Sequence, residues 1–343
     1  MTDAILYSQK NHIGVVTLNR LSALNALNAR MILSLHRQLQ IWQDDPHIHA
    51  VVICSAGGRA FCAGGDVRSI YVQRGESHPE QMDFFRQEYQ LNRFIYDFGK
   101  PYIAFMDGIT MGGGVGISLH GSHPVASERF CFAMPETGIG FFPDIGASYL
   151  LSRCPGHFGV YLGLTGARLG PGTSAALGLV KEVIPYGQFS AVLEALASAD
   201  LSTDADAQVS RVLELFTQPK QSSEMDALQP MVDACFKYDN MESIMTALAE
   251  GLDQWHRETH RVLSQKSPLS LKVTLEQLKK ATSMGLAECL EMDYCLTGHF
   301  LRDSDFYEGV RALLVDKDNN PHWDPSTLQQ VTDEKMTEYF RSG

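Results

Sequence analysis

No stretch of this sequence reaches the roughly 18 consecutive apolar residues that a membrane span needs, so no membrane-crossing helix is expected. Cysteine pairs at CxxC spacing are missing too. The seven cysteines, at 54, 62, 131, 154, 235, 289 and 295, are scattered and odd in number. That argues against a disulfide framework or a structural zinc site, and for a reducing compartment. Met1 to Tyr7 has no basic stretch leading into an apolar core, so no secretory signal is expected. The cytoplasm is the expected location. Positive charge is in short supply: 28 Lys and Arg against 40 Asp and Glu leave a net charge of −12. Nonspecific nucleic-acid binding needs a basic surface and is therefore disfavoured. An anionic cofactor remains compatible, since a few local cations can hold phosphates, and solubility is the ordinary consequence of −12. Tandem repeats, low-complexity tracts and long linkers are also lacking. With 44% apolar and 20% charged residues, the 343-residue chain suits a soluble globular protein of one large or two smaller domains.

What is present is glycine, concentrated in two turns: Phe61–Asp66 (FCAGGD) and Gly108–Gly116 (GITMGGGVG). Each follows an apolar run, Ala50 to Cys54 and Tyr102 to Met106. Glycine lets a backbone approach closely and adopt unusual torsions, so two such turns can aim bare N–H groups at one ligand atom. Two converging donors make an oxyanion hole. Soon after comes Met134–Asp144 (MPETGIGFFPD), which supplies two carboxylates for acid–base or nucleophilic work. The combination points to acyl chemistry.

His12 to Leu18, Ala50 to Cys54 and Tyr102 to Met106 predict strands. Between the first two, Leu27, Met31, Leu35, Leu39 and Trp42 recur at near-helical spacing across Ala26 to Gln43. A helix is predicted to start in the glycine turn and run over Gly112 to His120. Apolar runs at Pro124 to Ala126, Cys131 to Met134 and Val180 to Ile184 continue the alternation, an order that favours βαβ units. From about Ser198 onward the pattern is mainly helical, over Val209 to Phe216, Ser243 to Leu263 and Leu269 to Ala281, with Ser267 and Pro268 marking a helix start. Asn319 to Pro325 predicts an irregular tail before a last short helix. The expected organisation is an α/β core over residues 1–197 and a mainly helical region over 198–343 that packs on the active site.

Taken together, the two glycine turns, Phe132–Thr137 and Phe142–Asp144 resemble the crotonase (enoyl-CoA hydratase/isomerase) superfamily, and most of all its 3-hydroxyisobutyryl-CoA hydrolase branch. The similarity runs from about Ile13 to Asp324 and includes Leu18–Arg20 and Ala23–Leu27. A single glycine turn would be weak evidence; the ordered series is not. The resemblance implies a spiral of ββα units with a helical C-terminal region.

It also implies roles. The N–H groups of Gly65 and Gly113 would be the oxyanion donors, although either turn alone is equally a tight strand-to-helix connection. Glu136, in an apolar setting of Phe132, Met134, Ile139 and Phe141, is read locally either as an ordinary loop carboxylate or as one with a perturbed pKa. The resemblance makes it the residue that attacks the thioester or activates water. Asp144 could be a turn residue; the hydrolase branch has aspartate here where many hydratases have glycine, which implies contact with the substrate hydroxyl or proton transfer. Glu88 lies on a stripe with Phe84, Leu91 and Ile95 in the segment from Glu80 to Phe98. A carboxylate on that stripe must pair, face a cleft or sit at its edge, and the resemblance places it at the substrate. Arg20 and Arg59, near the matched turns, are candidates for the coenzyme A phosphates.

One departure weighs on function. Hydratases of this superfamily commonly carry a second catalytic glutamate where this chain has Gly116, which cannot transfer a proton. The expected activity is hydrolysis of 3-hydroxyisobutyryl-CoA in valine degradation. The alternatives are hydration or isomerisation of enoyl-CoA, a broader acyl-CoA thioesterase, and an acyl-CoA-binding scaffold. No metal or redox cofactor is expected, and a homo-oligomer is left open. Ser118 misses the GxSxG pattern at His120, so it is not a persuasive nucleophile. The triplet misses GxGxxG at Ile117. Cys62 has no evident His partner and is expected to be a small packed residue. His120 and His123 are expected in a solvated turn rather than on a metal.

Overall fold

The valine- and isoleucine-rich segments form one sheet, as their patterning predicts. In the computed structural model, which describes residues 3–74, 78–218 and 225–341, β1 (Ile5–Lys10) pairs antiparallel with β2 (Ile13–Leu18). Strand β2 then runs parallel to β3 (Ala50–Ser55). A short β4 (Ala60–Cys62) precedes β5 (Tyr102–Met106), β6 (Ile109–Met111), β7 (His123–Ala126), β8 (Cys131–Ala133) and β9 (Glu182–Val183). The large sheet has the order β1-β2-β3-β5-β7-β9, and a second one the order β4-β6-β8. Parallel strands joined through helices make this an α/β fold.

The chain divides into two units, each drawn from three separated segments. The first comprises Met1–Gly65, Gln90–Phe132 and Leu169–Ser223; the second comprises Asp66–Tyr89, Ala133–Arg168 and Glu224–Gly343. This is not the expected division at 197/198. The composition does turn helical there, but helices Phe189–Ser198 and Ala205–Glu214 bury Phe189, Val192, Leu196, Val209 and Leu213 in one cluster with Val15, Val52, Ile103 and Val125 of the sheet. Each such side chain contributes about 1.5–3 kcal/mol on burial, so these helices belong to the first unit. On the same sheet, Trp42 of helix Ala29–Asp44 lies against Gly14, where an added Cβ would come within 2.8 Å of its ring.

The second unit is mainly helical. The stretch expected as one helix from Ser243 to Leu263 is two, Met241–Glu250 and Gln254–Ser264, because Asp253 caps the second by accepting from His256 N–H. Helix Pro268–Ala281 starts as its sequence predicts, with the Ser267 hydroxyl accepting from Ser270 N–H. The helix expected over Gly112 to His120 is a single turn, Gly113–Gly116. With three glycines and a valine it has little helix propensity to extend it. Among the described residues, no helix is long and apolar enough to cross a membrane.

Candidate active site

The first unit brings the two glycine turns side by side. Strands β4 and β6, which lead into them, pair in parallel. Gly64 has φ +119, and a Cβ there would point at Met111 O and Gly113 N, 3.5 and 3.9 Å away. Gly114 lies so close to the first turn that a Cβ would fall 2.3 Å from Cys62 O. Asn25, fully buried at φ +57, fixes the first turn by donating to the carbonyls of Phe61 (2.9 Å) and Ala60 (3.3 Å). Gly64 O in turn accepts from Leu27 N–H at 2.8 Å. Among the described residues, neither Gly65 N–H nor Gly113 N–H donates a hydrogen bond within the protein. Free backbone donors in adjacent turns are what an oxyanion hole requires. The turn after Gly112 is too short for a strong helix dipole, so the individual N–H groups carry the electrostatics.

The remaining candidates of the first unit separate clearly. Arg20 donates to Ala26 O at 2.8 Å and helps shape the first turn, whereas Arg59 is exposed. Cys62 is buried with its thiol donating to Asn25 O, and the Ser118 hydroxyl donates to Gly114 O at 2.6 Å, so neither is poised as a nucleophile. His120 and His123 are buried rather than solvated. His123 sits between the hydroxyls of Ser122 and Ser210, at 2.8 and 3.0 Å, and burial lowers its pKa to about 4.

The second unit collects the acids. Glu88, Glu136 and Asp144 are all buried, and they feel one another. Burial raises Glu88 well above the ordinary carboxyl range and the Asp144 charge adds to that. Burial also raises Glu136, helped by the charges of Asp144 and Glu88 and opposed by Lys266. Burial lifts Asp144 to about 7, with the Tyr89 hydrogen bond pulling the other way. Among the described residues, Glu88 Oε1 and Glu136 Oε2 have no hydrogen-bond partner. Buried carboxyls with free oxygens and pKa values moved toward neutrality are the proper equipment for a general base or a nucleophile near pH 7.

The Glu136 turn, Glu136–Ile139, is held on several sides. Thr137 donates its hydroxyl to Leu164 O at 2.9 Å, and Thr137 O accepts from Ser267 N–H. Gly140, at φ +67, allows the chain to pass Asp305 O, where a Cβ would clash at 2.1 Å. Phe85, Phe141, Phe142, Phe300 and Phe306 pack ring to ring beside it.

Asp144 is set by groups that the sequence did not announce. The Tyr89 hydroxyl donates to Asp144 Oδ2 at 2.8 Å, which leaves the Tyr89 oxygen to accept from Thr297, also at 2.8 Å. Gln277 Nε2 donates to Pro143 O at 3.0 Å and to Asp293 Oδ1 at 2.7 Å; Asp293 Oδ2 accepts from Gly146 N–H at 2.7 Å. The loop is thus gripped one residue before Asp144 and two after it. Between the grips, Ile145 is held at φ +58, a region that β-branched residues rarely occupy. Gln277 and Asp293 sit fully buried in helices that carry several other polar residues, so the sequence offered no signal for them. Gln277→Ala is expected to strip both bonds, cost about 1–3 kcal/mol of stability and lower turnover more than KM is raised. Thermal melting and steady-state kinetics check this, and an unchanged kcat would show that the grip does not position Asp144.

The family model described as "Enoyl-CoA hydratase/isomerase" matches residues 13–340. The chain is 40% identical to the human mitochondrial 3-hydroxyisobutyryl-CoA hydrolase, across 99% of this chain and 90% of that protein. It is 39% identical to the rat mitochondrial enzyme of the same name, covering 99% and 89%. Among solved structures, a carnitinyl-CoA dehydratase from Mycobacterium thermoresistibile superposes with a TM-score of 0.93 at 34% identity, covering 100% of this chain and 97% of that one. An enoyl-CoA hydratase from Rhodobacter sphaeroides gives 0.91 at 34% identity, covering 98% and 97%. With a family model matching residues 13–340 and relatives matched over nearly its whole length, the chain belongs to the enoyl-CoA hydratase/isomerase, or crotonase, family.

Proposed function

We propose that this protein hydrolyses the thioester of 3-hydroxyisobutyryl-CoA to 3-hydroxyisobutyrate and coenzyme A, the step used in valine degradation. The observation that carries the reading is the buried trio of Glu88, Glu136 and Asp144, in a chain whose position 116 is glycine. Hydration with two glutamates needs a proton-transferring side chain at 116; thioester hydrolysis does not. The curated relatives with nearly full-length matches carry the hydrolase name, although two similar structures are titled as a dehydratase and a hydratase.

In this mechanism the thioester carbonyl oxygen accepts from Gly65 and Gly113 N–H, which stabilise the charge it gains on attack. Glu136, once deprotonated, attacks the carbonyl carbon; the C–S bond breaks and coenzyme A leaves as the thiolate, to be protonated. Water then cleaves the acyl anhydride and restores the carboxylate. The other route has Glu136 take a proton from water, which attacks directly. Oxygen from labelled water entering Glu136 during turnover would mark the covalent route. Asp144 and Glu88 orient the hydroxyacyl group. That the turns of one unit and the acids of the other act on one thioester is part of the proposal. Exposed Arg59 is retained as the phosphate contact; Arg20 is already engaged in its turn. No cofactor beyond the substrate's own coenzyme A enters this chemistry. For location, seven free thiols favour a reducing compartment. The cytoplasm stays the proposal for this chain, and the relatives' names place those proteins in mitochondria.

The test is thiol release with product analysis across acyl-CoA substrates. An analogue without the hydroxyl leaves buried polar groups unmet, at about 1–3 kcal/mol each. 3-Hydroxyisobutyryl-CoA should therefore exceed isobutyryl-CoA in kcat/KM by roughly tenfold or more. Equal efficiencies would instead indicate a broad acyl-CoA thioesterase, hydrated product a hydratase, and no turnover a binding scaffold.

A further inference from the structure

Asn92 is fully buried, and neither its Nδ2 nor its Oδ1 has a hydrogen-bond partner among the described residues. A carboxamide desolvated at both ends opposes folding and calls for an explanation, most simply a ligand that supplies the missing bonds. Its position says which part of a ligand that would be. The amide lies directly on Gly116, where a Cβ would come 2.5 Å from Nδ2 and 3.1 Å from Oδ1. Asn92 therefore fills the space that a side chain at 116 would take. Gly116 closes the short turn that Gly113 opens, and three residues of helical rise span about 4.5 Å. The amide thus lies within reach of the carbons of a short acyl chain whose carbonyl is held at Gly113 N–H. A hydroxyl on those carbons has a proton to give and lone pairs to share. A carboxylate can only take the proton, whereas a carboxamide can also donate to the oxygen.

We propose that Asn92 is a specificity-determining residue, its Nδ2–H donating to the hydroxyl oxygen of the bound hydroxyacyl group. The inference rests on the hydroxyacyl-CoA hydrolase reading above. It also gives glycine at 116 a positive role, since any larger residue there would displace the amide.

Asn92→Leu keeps the approximate shape and removes both unpaired atoms, so the fold should be as stable as before or more so. The measurement is kcat/KM for 3-hydroxyisobutyryl-CoA and for isobutyryl-CoA, in the unmodified protein and the variant, alongside thermal melting. The expected result is a loss of about tenfold or more on the hydroxylated substrate, with isobutyryl-CoA changed by less than about twofold. An equal loss on both substrates, or none on either, overturns the proposal. Should Asn92→Leu fail to fold, Asn92→Ala read by the same ratio decides the matter. If the unmodified protein itself does not discriminate, the hydroxyacyl reading falls; if it does and the variant discriminates equally well, only the Asn92 assignment falls.

Discussion

Glu136→Gln is expected to lower thioester cleavage by about a thousandfold or more while acyl-CoA still binds. The amide matches the carboxylate in shape, yet it is neither an adequate nucleophile nor a general base. Its surroundings make the exchange structurally mild. The side chain is buried, one oxygen is unpartnered among the described residues, and burial already favours the uncharged form. The Glu136 turn is held by Thr137, Ser267 and Gly140, none of which touches the substituted group in its grip on the backbone. Equilibrium binding of a non-hydrolysable thioether analogue, set beside turnover, separates binding from chemistry. Near-normal turnover in this variant would remove Glu136 from the mechanism.

Asp144→Asn should slow hydrolysis by about a hundredfold and, at pH 8, make the protein more stable. Burial raises the Asp144 pKa from its ordinary 3.8 to about 7. Between those values the unfolded chain has given up a proton that the folded chain keeps, so stability falls as pH rises through this window. Above about pH 7 both states are ionised and the burden is constant, on the order of 4 kcal/mol for the whole interval. Asparagine carries none of it, and its carbonyl oxygen can still accept from the Tyr89 hydroxyl. The melting advantage of the variant should therefore be largest at pH 7–8, shrink through pH 6 and 5, and be gone near pH 4. A variant less stable at pH 8 would mean that Asp144 is not burdened by burial. Loss of activity joined to gain of stability is the usual mark of a site that holds a charge against its surroundings.

The sequence conveyed the sheet well, because continuous apolar runs and near-helical spacing reflect burial that is local. Tyr102–Met106 has the bounds the apolar run suggested. The site was partly legible. Gly65, Gly113, Glu136 and Asp144 were named through the resemblance of an ordered series, and Glu88 also through its place on an apolar stripe. Tyr89, Gln277, Asp293 and Thr297 act through partners far along the chain, and nothing in their neighbourhoods marks them. Asn92 sat in plain view on the Glu88 stripe, but only its proximity to Gly116 gives it meaning. The boundary near 198 was misplaced because composition reports what a segment is, and not which sheet face it covers.

The interleaved segments also set an order of events during synthesis. Everything the first unit needs has been made by Ser223, so its sheet and both glycine turns can assemble while the rest of the chain is still being translated. The Asp144 loop emerges early but has no grip until Gln277, Asp293 and Thr297 follow. An acid held in an unfavourable setting, beside a residue at φ +58, would have little reason to adopt that conformation before then. The glycine turns therefore arrive first and the gripped Asp144 loop last. A nascent chain stalled short of those residues would carry both glycine turns without the grip that sets Asp144.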